Sequence, residues 1–390
     1  MRRPTIRSWL LFWTALCAVS AGAPAQVQAQ AQVPAPAQSQ AQLKTRNVVL
    51  IVSDGLRWQE VYSGADLSLL DDPKGGMWES AASLKKRFWD NDPAARRRLL
   101  MPFMWDVIAK QGQLFGNQAL GSIARVTNGV AYSYPGYNEM LTGHPDPRID
   151  RTDIDGNNYG PNPNVTVFEW LNGRPGLKGK AAVFGSWTWF TDVFNESRSH
   201  LDLRVGSRLP PADKPTPRQA LLERLYRTTT AQEAGEVPDS FVQARLLDYL
   251  KSNHPRALFV GFGETDDWGH AGRYDLILEA VHHLDLFVHE LWETMQAMPG
   301  YRDQTTFIIT TDHGRGSGLE DWKEHGLEQK GSENIWIATI GPDTPPLGER
   351  HGAPAVAQAQ IAATVAALLG QDYRSAVPLA AAPLPILSGN

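Results

Sequence analysis

The stretch ALFVGFGETDDWGHAGRYD, residues 257–275, decides how this chain is read. An apolar run of strand length, ALFVGF, breaks off at a glycine and is followed at once by Glu264, Asp266, Asp267 and His270. The same form recurs in NVVLIVSDG (47–55), which ends in Asp54, and in TTFIITTDHGRG (305–316), which ends in Asp312 and His313. A continuous apolar run marks a strand buried on both faces, as in parallel sheets. KAAVFGSW (180–187) and NIWIATIGP (334–342) are weaker versions of the pattern. Between these runs, Ile277, Val281, Leu284, Val288, Leu291 and Met295 recur at helical spacing over 274–297, and APAVAQAQIAATVAALLG (353–370) forms a second helical pattern that stops at glycine. Strands alternating with helices predict an α/β fold, a mostly parallel central sheet with helices on both faces. Ligands bind such sheets beyond the carboxyl ends of the strands, where the charged tips lie.

The rest of the chain sets bounds. With 390 residues and 42% hydrophobic content it can bury a large core. A formal net charge of −5, with AARRR (94–98) as an isolated basic run, gives no footprint for a nucleic-acid polymer. At the N-terminus, MRRPTIR is basic, SWLLFWTALCAVSAGA is a short apolar segment and APA (23–25) fits a cleavage site. This predicts a signal peptide over 1–25, hence an exported protein, periplasmic or secreted, with no stable membrane span in the mature chain. Cys17 is the single cysteine and leaves with that segment, so disulfides and thiolate ligands are not expected. The Ala/Gln/Pro tract 26–43 is read as a disordered linker, and 44–390 as one catalytic domain. Within it, polar 63–100 is read as an insertion near the first strand's exit, and Asp/Asn/Pro/Gly-rich 144–165 as loop.

The tips supply Asp54, Asp266, His270, Asp312 and His313, and His325 follows in DWKEHG. An aspartate at a strand end is often only a cap or turn former. Three carboxylates and three imidazoles in ordered motifs point instead to metal. Oxygen and nitrogen donors suit zinc, with manganese as the alternative, and the set is large enough for two divalent ions sharing a substrate. Ser133, in VAYSYPGYNEMLTG (130–143), stands just before a helix pattern that Pro135 opens, so it is either a helix cap or a nucleophile at a helix N-terminus.

This ordered set resembles the alkaline phosphatase superfamily, most closely its nucleotide pyrophosphatase/phosphodiesterase branch, over roughly residues 46–342. The frame Y-S-Y-P-G-Y-N-E-M-L-T-G aligns Ser133 with that branch's Thr or Ser nucleophile, and TDDWGH is similar to its PDSSGH. The resemblance implies one zinc on Asp266, His270 and His325, and another on Asp54, Asp312, His313 and Ser133. It implies hydrolysis of a small-molecule phosphate ester, a diester or nucleotide type, through phospho-Ser133. A phosphomonoesterase and a catalytically inactive metal-binding protein are the alternatives. The family Asn that contacts the phosphoryl oxygen maps to Asn157, with Asn158 close by. Where the branch reads T-F-P-N-H, this chain reads S-Y-P-G-Y, and Tyr137 replaces the arginine of the sulfatase C/S-x-P-x-R frame. Arg125, Arg315 and Lys323 are candidate phosphoryl contacts, Asp267 and Glu264 candidate orienters of the ligands, and SWTWF (186–190) is either core or a cleft wall.

Overall fold

In the computed structural model, residues 43–72, 77–154, 158–207, 215–232 and 235–387 are described. The predicted signal peptide and almost all of the linker lie outside them. Ten strands occur among these residues: β1 (Asn47–Ser53), β2 (Gln113–Phe115), β3 (Ala124–Arg125), β4 (Ala181–Gly185), β5 (Asp202–Val205), β6 (Ala257–Phe262), β7 (Thr305–Thr310), β8 (Ile337–Ile340), β9 (Gly348–Glu349) and β10 (Val356–Ala357). Eight of them form one sheet in the order β5-β4-β6-β1-β7-β8-β2-β9, and β3 pairs with β10 separately. The run from β5 to β7 is parallel, whereas β8 is antiparallel to both β7 and β2.

Each central strand is apolar on both faces because both faces are covered. Along β1, Val49 and Ile51 enter one core while Val48, Leu50 and Val52 enter the other. The first core takes helices Asp239–Leu250 and Tyr274–Ala297; the second takes Ser133–Thr142, Val167–Asn172 and Gln360–Leu368. Period-two alternation is thus present but invisible as polarity.

The segment expected as a polar insertion, 63–100, folds into short helices Leu67–Asp71, Ala81–Phe88 and Pro93–Leu100, capped by the side chains of Asp66, Ser80 and Asp92. Leu69, Leu70, Leu84, Phe88 and Leu100 bury against the first core. In helices this short, one or two core contacts per turn suffice and no periodic stripe develops.

The helix Tyr274–Ala297 also carries a buried carboxylate. Asp285 accepts the backbone N–H groups of Phe103 at 2.7 Å and Met104 at 2.8 Å. Burial nonetheless pushes its carboxyl up to about 7. The folded chain therefore holds a proton that the unfolded chain releases near pH 4. Stability should fall as pH rises from about 4 to 7, by at most about 1.4 kcal/mol per pH unit for one proton. Asp285→Asn should flatten that slope in denaturant titrations at pH 5, 6 and 7; an unchanged slope would assign the dependence to other groups.

The strand order places the site. β6, β1 and β7 are adjacent and parallel, with Ser53 in register with Phe262 and Val52 with Thr310. Their carboxyl ends therefore finish at one level, bringing Asp54, Asp266, Asp312 and His313 together at the centre of one sheet edge.

Candidate active site

Ser133 is the first residue of helix Ser133–Thr142, so this helix begins two residues before Pro135. Gly143 ends it in the left-handed conformation, at φ 82°. The helix lies close over β7's exit, because a side chain on Gly136 would come within 2.6 Å of the Asp312 carbonyl oxygen. Glycine there, in place of the resembled branch's asparagine, permits this approach. Ser133 Oγ lies 3.2 Å from His313 Nε2 and 3.5 Å from Asp54 Oδ1.

The described residues bring all six predicted metal-ligand side chains together with Ser133. Asp54, Asp312 and His313 each offer one donor atom within 4.8 Å of the others, and so do Asp266, His313 and His325. His270 Nε2 adds itself to the second group, 3.2 Å from Asp266 Oδ2 and 3.1 Å from His325 Nε2. His313 thus stands between the two groups that the resemblance separates, its ring stacked on that of His325 at 3.8 Å.

The surroundings fix how these donors point. His313 Nδ1 donates to the Gly314 carbonyl at 2.9 Å, and His325 Nδ1 donates to the Ala131 carbonyl at 3.1 Å. Both rings therefore turn a bare Nε2 towards the cluster. Ala131 holds a positive φ of 51°, a strained conformation for alanine, and Asn128 Oδ1 pins its N–H at 2.9 Å. Arg315 is buried behind Asp266 and donates to its carboxylate and to its carbonyl oxygen. Gly55 and Gly269 make room, since a side chain on either would strike that guanidinium.

The electrostatics are those of several carboxylates and imidazoles buried together. Burial raises Asp54 well above the usual carboxylate range, and the charge on Asp266 adds to this. Burial does the same to Asp312, and Asp54 adds to it. Burial also works upward on Asp266, but Arg315 and His325 outweigh it and hold that carboxyl well below its usual range. His325 is driven well below the usual imidazole range by burial and then by His313. For His270 burial works downward, yet the hydrogen bond to Asp266 reverses it and the pKa is raised.

The residues fit divalent metal. Asp312 Oδ2 is buried with no hydrogen-bond partner. Two imidazole Nε2 atoms face each other at hydrogen-bond distance, and every donor is oxygen or nitrogen. An unpaired buried carboxylate oxygen costs several kcal/mol unless a cation meets it, roughly speaking.

The cluster opens into a cleft of about 290 Å³, whose lining includes Tyr132, Tyr159, Trp187 and Phe190 together with Arg151, Glu236 and Asp267. The SWTWF stretch therefore serves both roles, with Trp187 and Phe190 in the second core and on the cleft wall. Arg125, Arg315 and Lys323 are not on that wall: Arg125 is exposed on β3, Arg315 is turned onto Asp266, and Lys323 lies beside the Trp322 ring at 5.7 Å. Arg151 is the cation that lines it among the described residues, and sequence spacing offered no sign of this. Glu264 turns away and accepts the Asp239 N–H at 3.1 Å. Asn157 lies outside the described residues; Asn158 is exposed.

Tyr137 departs from the family frames, and its position has a use. One helical turn after Ser133, fully buried, its hydroxyl donates to Asp54 Oδ2 at 3.0 Å and leaves Oδ1 towards Ser133 and His313. Burial raises that phenol well above its usual range, so it stays a donor. Tyr137→Phe should lower kcat/KM by about 10–100-fold through loss of one charge-assisted hydrogen bond, with the ion content nearly kept. Elemental analysis beside kinetics checks this, and wild-type kinetics in the variant would show that Asp54 orients itself.

Residues 229–372 match the family model described as the Metalloenzyme superfamily. The chain is 30% identical over 100 residues to a 2,3-bisphosphoglycerate-independent phosphoglycerate mutase of Chromobacterium violaceum, a match spanning 26% of this chain and 18% of that enzyme's length. A protein solved with its substrate D-glucosamine-2-N,6-O-disulfate superposes with a TM-score of 0.55 at 11% identity, over 88% of this chain and 80% of that one. A 2-O GAG sulfatase gives 0.52 at 13% identity, over 84% and 71%. The chain has the fold of the alkaline phosphatase superfamily. Among the described residues no helix is long and apolar enough to cross a membrane.

Proposed function

We infer that this protein is an exported metal-dependent hydrolase of small phosphate esters, with diesters favoured over monoesters, acting through phospho-Ser133. The observation that carries the reading is the place of Ser133. Its hydroxyl is half-buried at a helix start, beside Asp54 and His313, and faces an open cleft. Asp54, Asp266, His270, Asp312, His313 and His325 would hold two divalent ions, zinc or manganese. When bound, such ions lower the pKa of a nearby hydroxyl and neutralise charge on phosphoryl oxygens.

The chain's own groups do the positioning. Tyr137 holds Asp54, Arg315 holds Asp266, and the carbonyls of Gly314 and Ala131 hold His313 and His325. Ser133 Oγ attacks phosphorus, forming the Ser–O–P bond while the bond to the leaving oxygen breaks; the serine proton is lost to solvent and the leaving alkoxide takes one up. Water then attacks the phosphoserine, releasing the phosphate product and restoring the hydroxyl. The N–H groups opening helix Ser133–Thr142 favour the anion.

Two features support ester class. A sulfatase-type frame needs arginine where Tyr137 stands, and Tyr137 is committed to Asp54. A monoester dianion calls for added positive charge, whereas Arg151, the guanidinium on the wall, is already paired with Asp153 through two 2.8 Å hydrogen bonds, which suits a singly charged diester. Export is supported by the 1–25 sequence alone.

The test compares ethyl p-nitrophenyl phosphate, p-nitrophenyl phosphate and p-nitrophenyl sulfate with zinc- or manganese-loaded protein. The diester should be cleaved fastest. A faster sulfate ester would move the protein to the sulfatases, and a faster monoester to the phosphatases.

A further inference from the structure

Glu139 lies on the helix that Ser133 opens and is wholly buried. An apolar side chain would fill a purely structural position there as well, since taking a carboxylate out of water is costly. Both oxygens of Glu139 are instead engaged. The Thr127 N–H donates to Oε1 at 3.0 Å and to Oε2 at 2.9 Å, and the Thr127 hydroxyl donates to Oε1 at 2.7 Å. The Asn128 N–H donates to Oε2 at 2.9 Å and the Ala359 N–H to Oε1 at 3.2 Å. One carboxylate thereby joins three segments: the Ser133 helix, the 127–131 loop and the start of helix Gln360–Leu368.

Two of those segments lead on to candidate metal ligands. In the loop, Asn128 Oδ1 accepts the N–H groups of Val130 at 3.0 Å and Ala131 at 2.9 Å. This holds Ala131 at its positive φ, and the Ala131 carbonyl accepts from His325 Nδ1 at 3.1 Å. Beside Ala359, Gln358 is also wholly buried, and its Nε2 donates to the carbonyls of Thr311 at 3.2 Å and Asp312 at 2.7 Å. The Asp312 carbonyl is the atom that Gly136 lets the Ser133 helix approach. Ser133, His325 and Asp312 thus trace back to one carboxylate, through hydrogen bonds that a charged acceptor and burial strengthen.

We propose that Glu139 is a positioning residue that holds Ser133, His325 and Asp312 in one arrangement, acting through Asn128 and Gln358. It does not line the cleft, so it acts only through these groups. The proposal rests on the ester-hydrolase reading of the cleft and deepens it by naming the group on which the spacing of nucleophile and ligands depends. Groups that orient metal ligands typically carry about 10–100-fold of metal affinity or activity. A packing role alone would change the folded fraction and nothing else.

Cobalt(II) uptake and turnover test it separately. Glu139→Gln keeps the shape but turns an amide N–H₂ towards backbone donors. Wild type and variant are titrated with cobalt(II) by visible absorption, with the folded fraction taken from circular dichroism. Per folded protein, Glu139→Gln should weaken cobalt binding about 10–100-fold and shift the absorption bands. At saturating zinc it should lower kcat for ethyl p-nitrophenyl phosphate by about 10–100-fold, with KM kept within about threefold. Leu291→Ala, in the core on the opposite face of the sheet, is the control. It should lower the melting temperature and leave bands and kcat per folded protein unchanged. Should Glu139→Gln not fold, Gln358→Met cuts one arm alone, because Gln358 Oε1 has no hydrogen-bond partner to lose. That variant should also shift the bands and should lower kcat about tenfold. Wild-type bands and rates per folded protein in the variant that folds overturn the proposal, as does a wild type that takes up no cobalt. A band shift in the variant, with no Ser133-dependent hydrolysis by wild type, keeps the positioning role and removes the hydrolase reading. Ser133-dependent hydrolysis that Glu139→Gln leaves intact does the reverse.

Discussion

Ser133→Ala should lower turnover of a p-nitrophenyl phosphodiester by on the order of 10³-fold or more while the fold and most bound metal remain. Removal of a nucleophile forfeits the covalent route itself and leaves the charge stabilisation of the site, which is why such losses are large yet incomplete. Folding should be spared, because among the described residues Ser133 Oγ hydrogen-bonds to Asp54 and His313, and neither depends on it for position. Tyr137 holds Asp54, and Gly314 holds His313. Rates measured with and without added zinc, together with ion content by elemental analysis, check the prediction. A second arm traps the intermediate: acid-quenched wild type given a ³²P-labelled substrate should carry label on Ser133, and the variant should carry none. A variant with near-normal rate would mean that water attacks phosphorus directly and that Ser133 only opens its helix.

How much of this could be read from sequence follows from what burial does to each element. β1, β6 and β7 are legible because strands covered on both faces must be apolar throughout, and their charged ends are legible because all three runs end in aspartate, with histidine close by in two of them. The clustering of the candidate ligands is legible for the same reason; the register of three adjacent strands turns distant motifs into neighbours. The helices within 63–100 are not legible, since each buries only one or two side chains per turn. Tyr137 is legible only as a departure because a family frame records residue types and not hydrogen bonds; its spacing of four from Ser133 on one helix is the available clue to its use. Arg315 is misread as a substrate contact because sequence gives its nearness to the ligands but not its side of them.

Asp312→Asn should change stability in opposite directions with and without metal. In the metal-free protein Asp312 is fully buried, its Oδ2 has no hydrogen-bond partner, and Asp54 and Asp266 crowd it. Its pKa is raised by burial first and by Asp54 second, so the folded state binds a proton more tightly than the unfolded state does. Stability from this group is therefore full below about pH 4 and is lost as pH rises towards the raised folded value, by at most about 1.4 kcal/mol per pH unit. Asparagine keeps an oxygen for the Gly55 N–H, which Asp312 Oδ1 accepts at 3.1 Å, and deletes the charge. Metal-free Asp312→Asn should accordingly be more stable than metal-free wild type at pH 8, with the difference shrinking towards pH 4. With metal the order reverses. A neutral amide is a poor ligand, so the variant loses most of the binding stabilisation, which is about 4 kcal/mol at a metal concentration a thousand times Kd. Denaturant titrations of chelator-treated and metal-reconstituted protein, each at pH 5 and pH 8, give four comparisons and one required crossing. If Asp312→Asn were instead less stable by the same amount in all four, the carboxylate would serve only as a cap for Gly55, and the first metal group would have to be rebuilt without it.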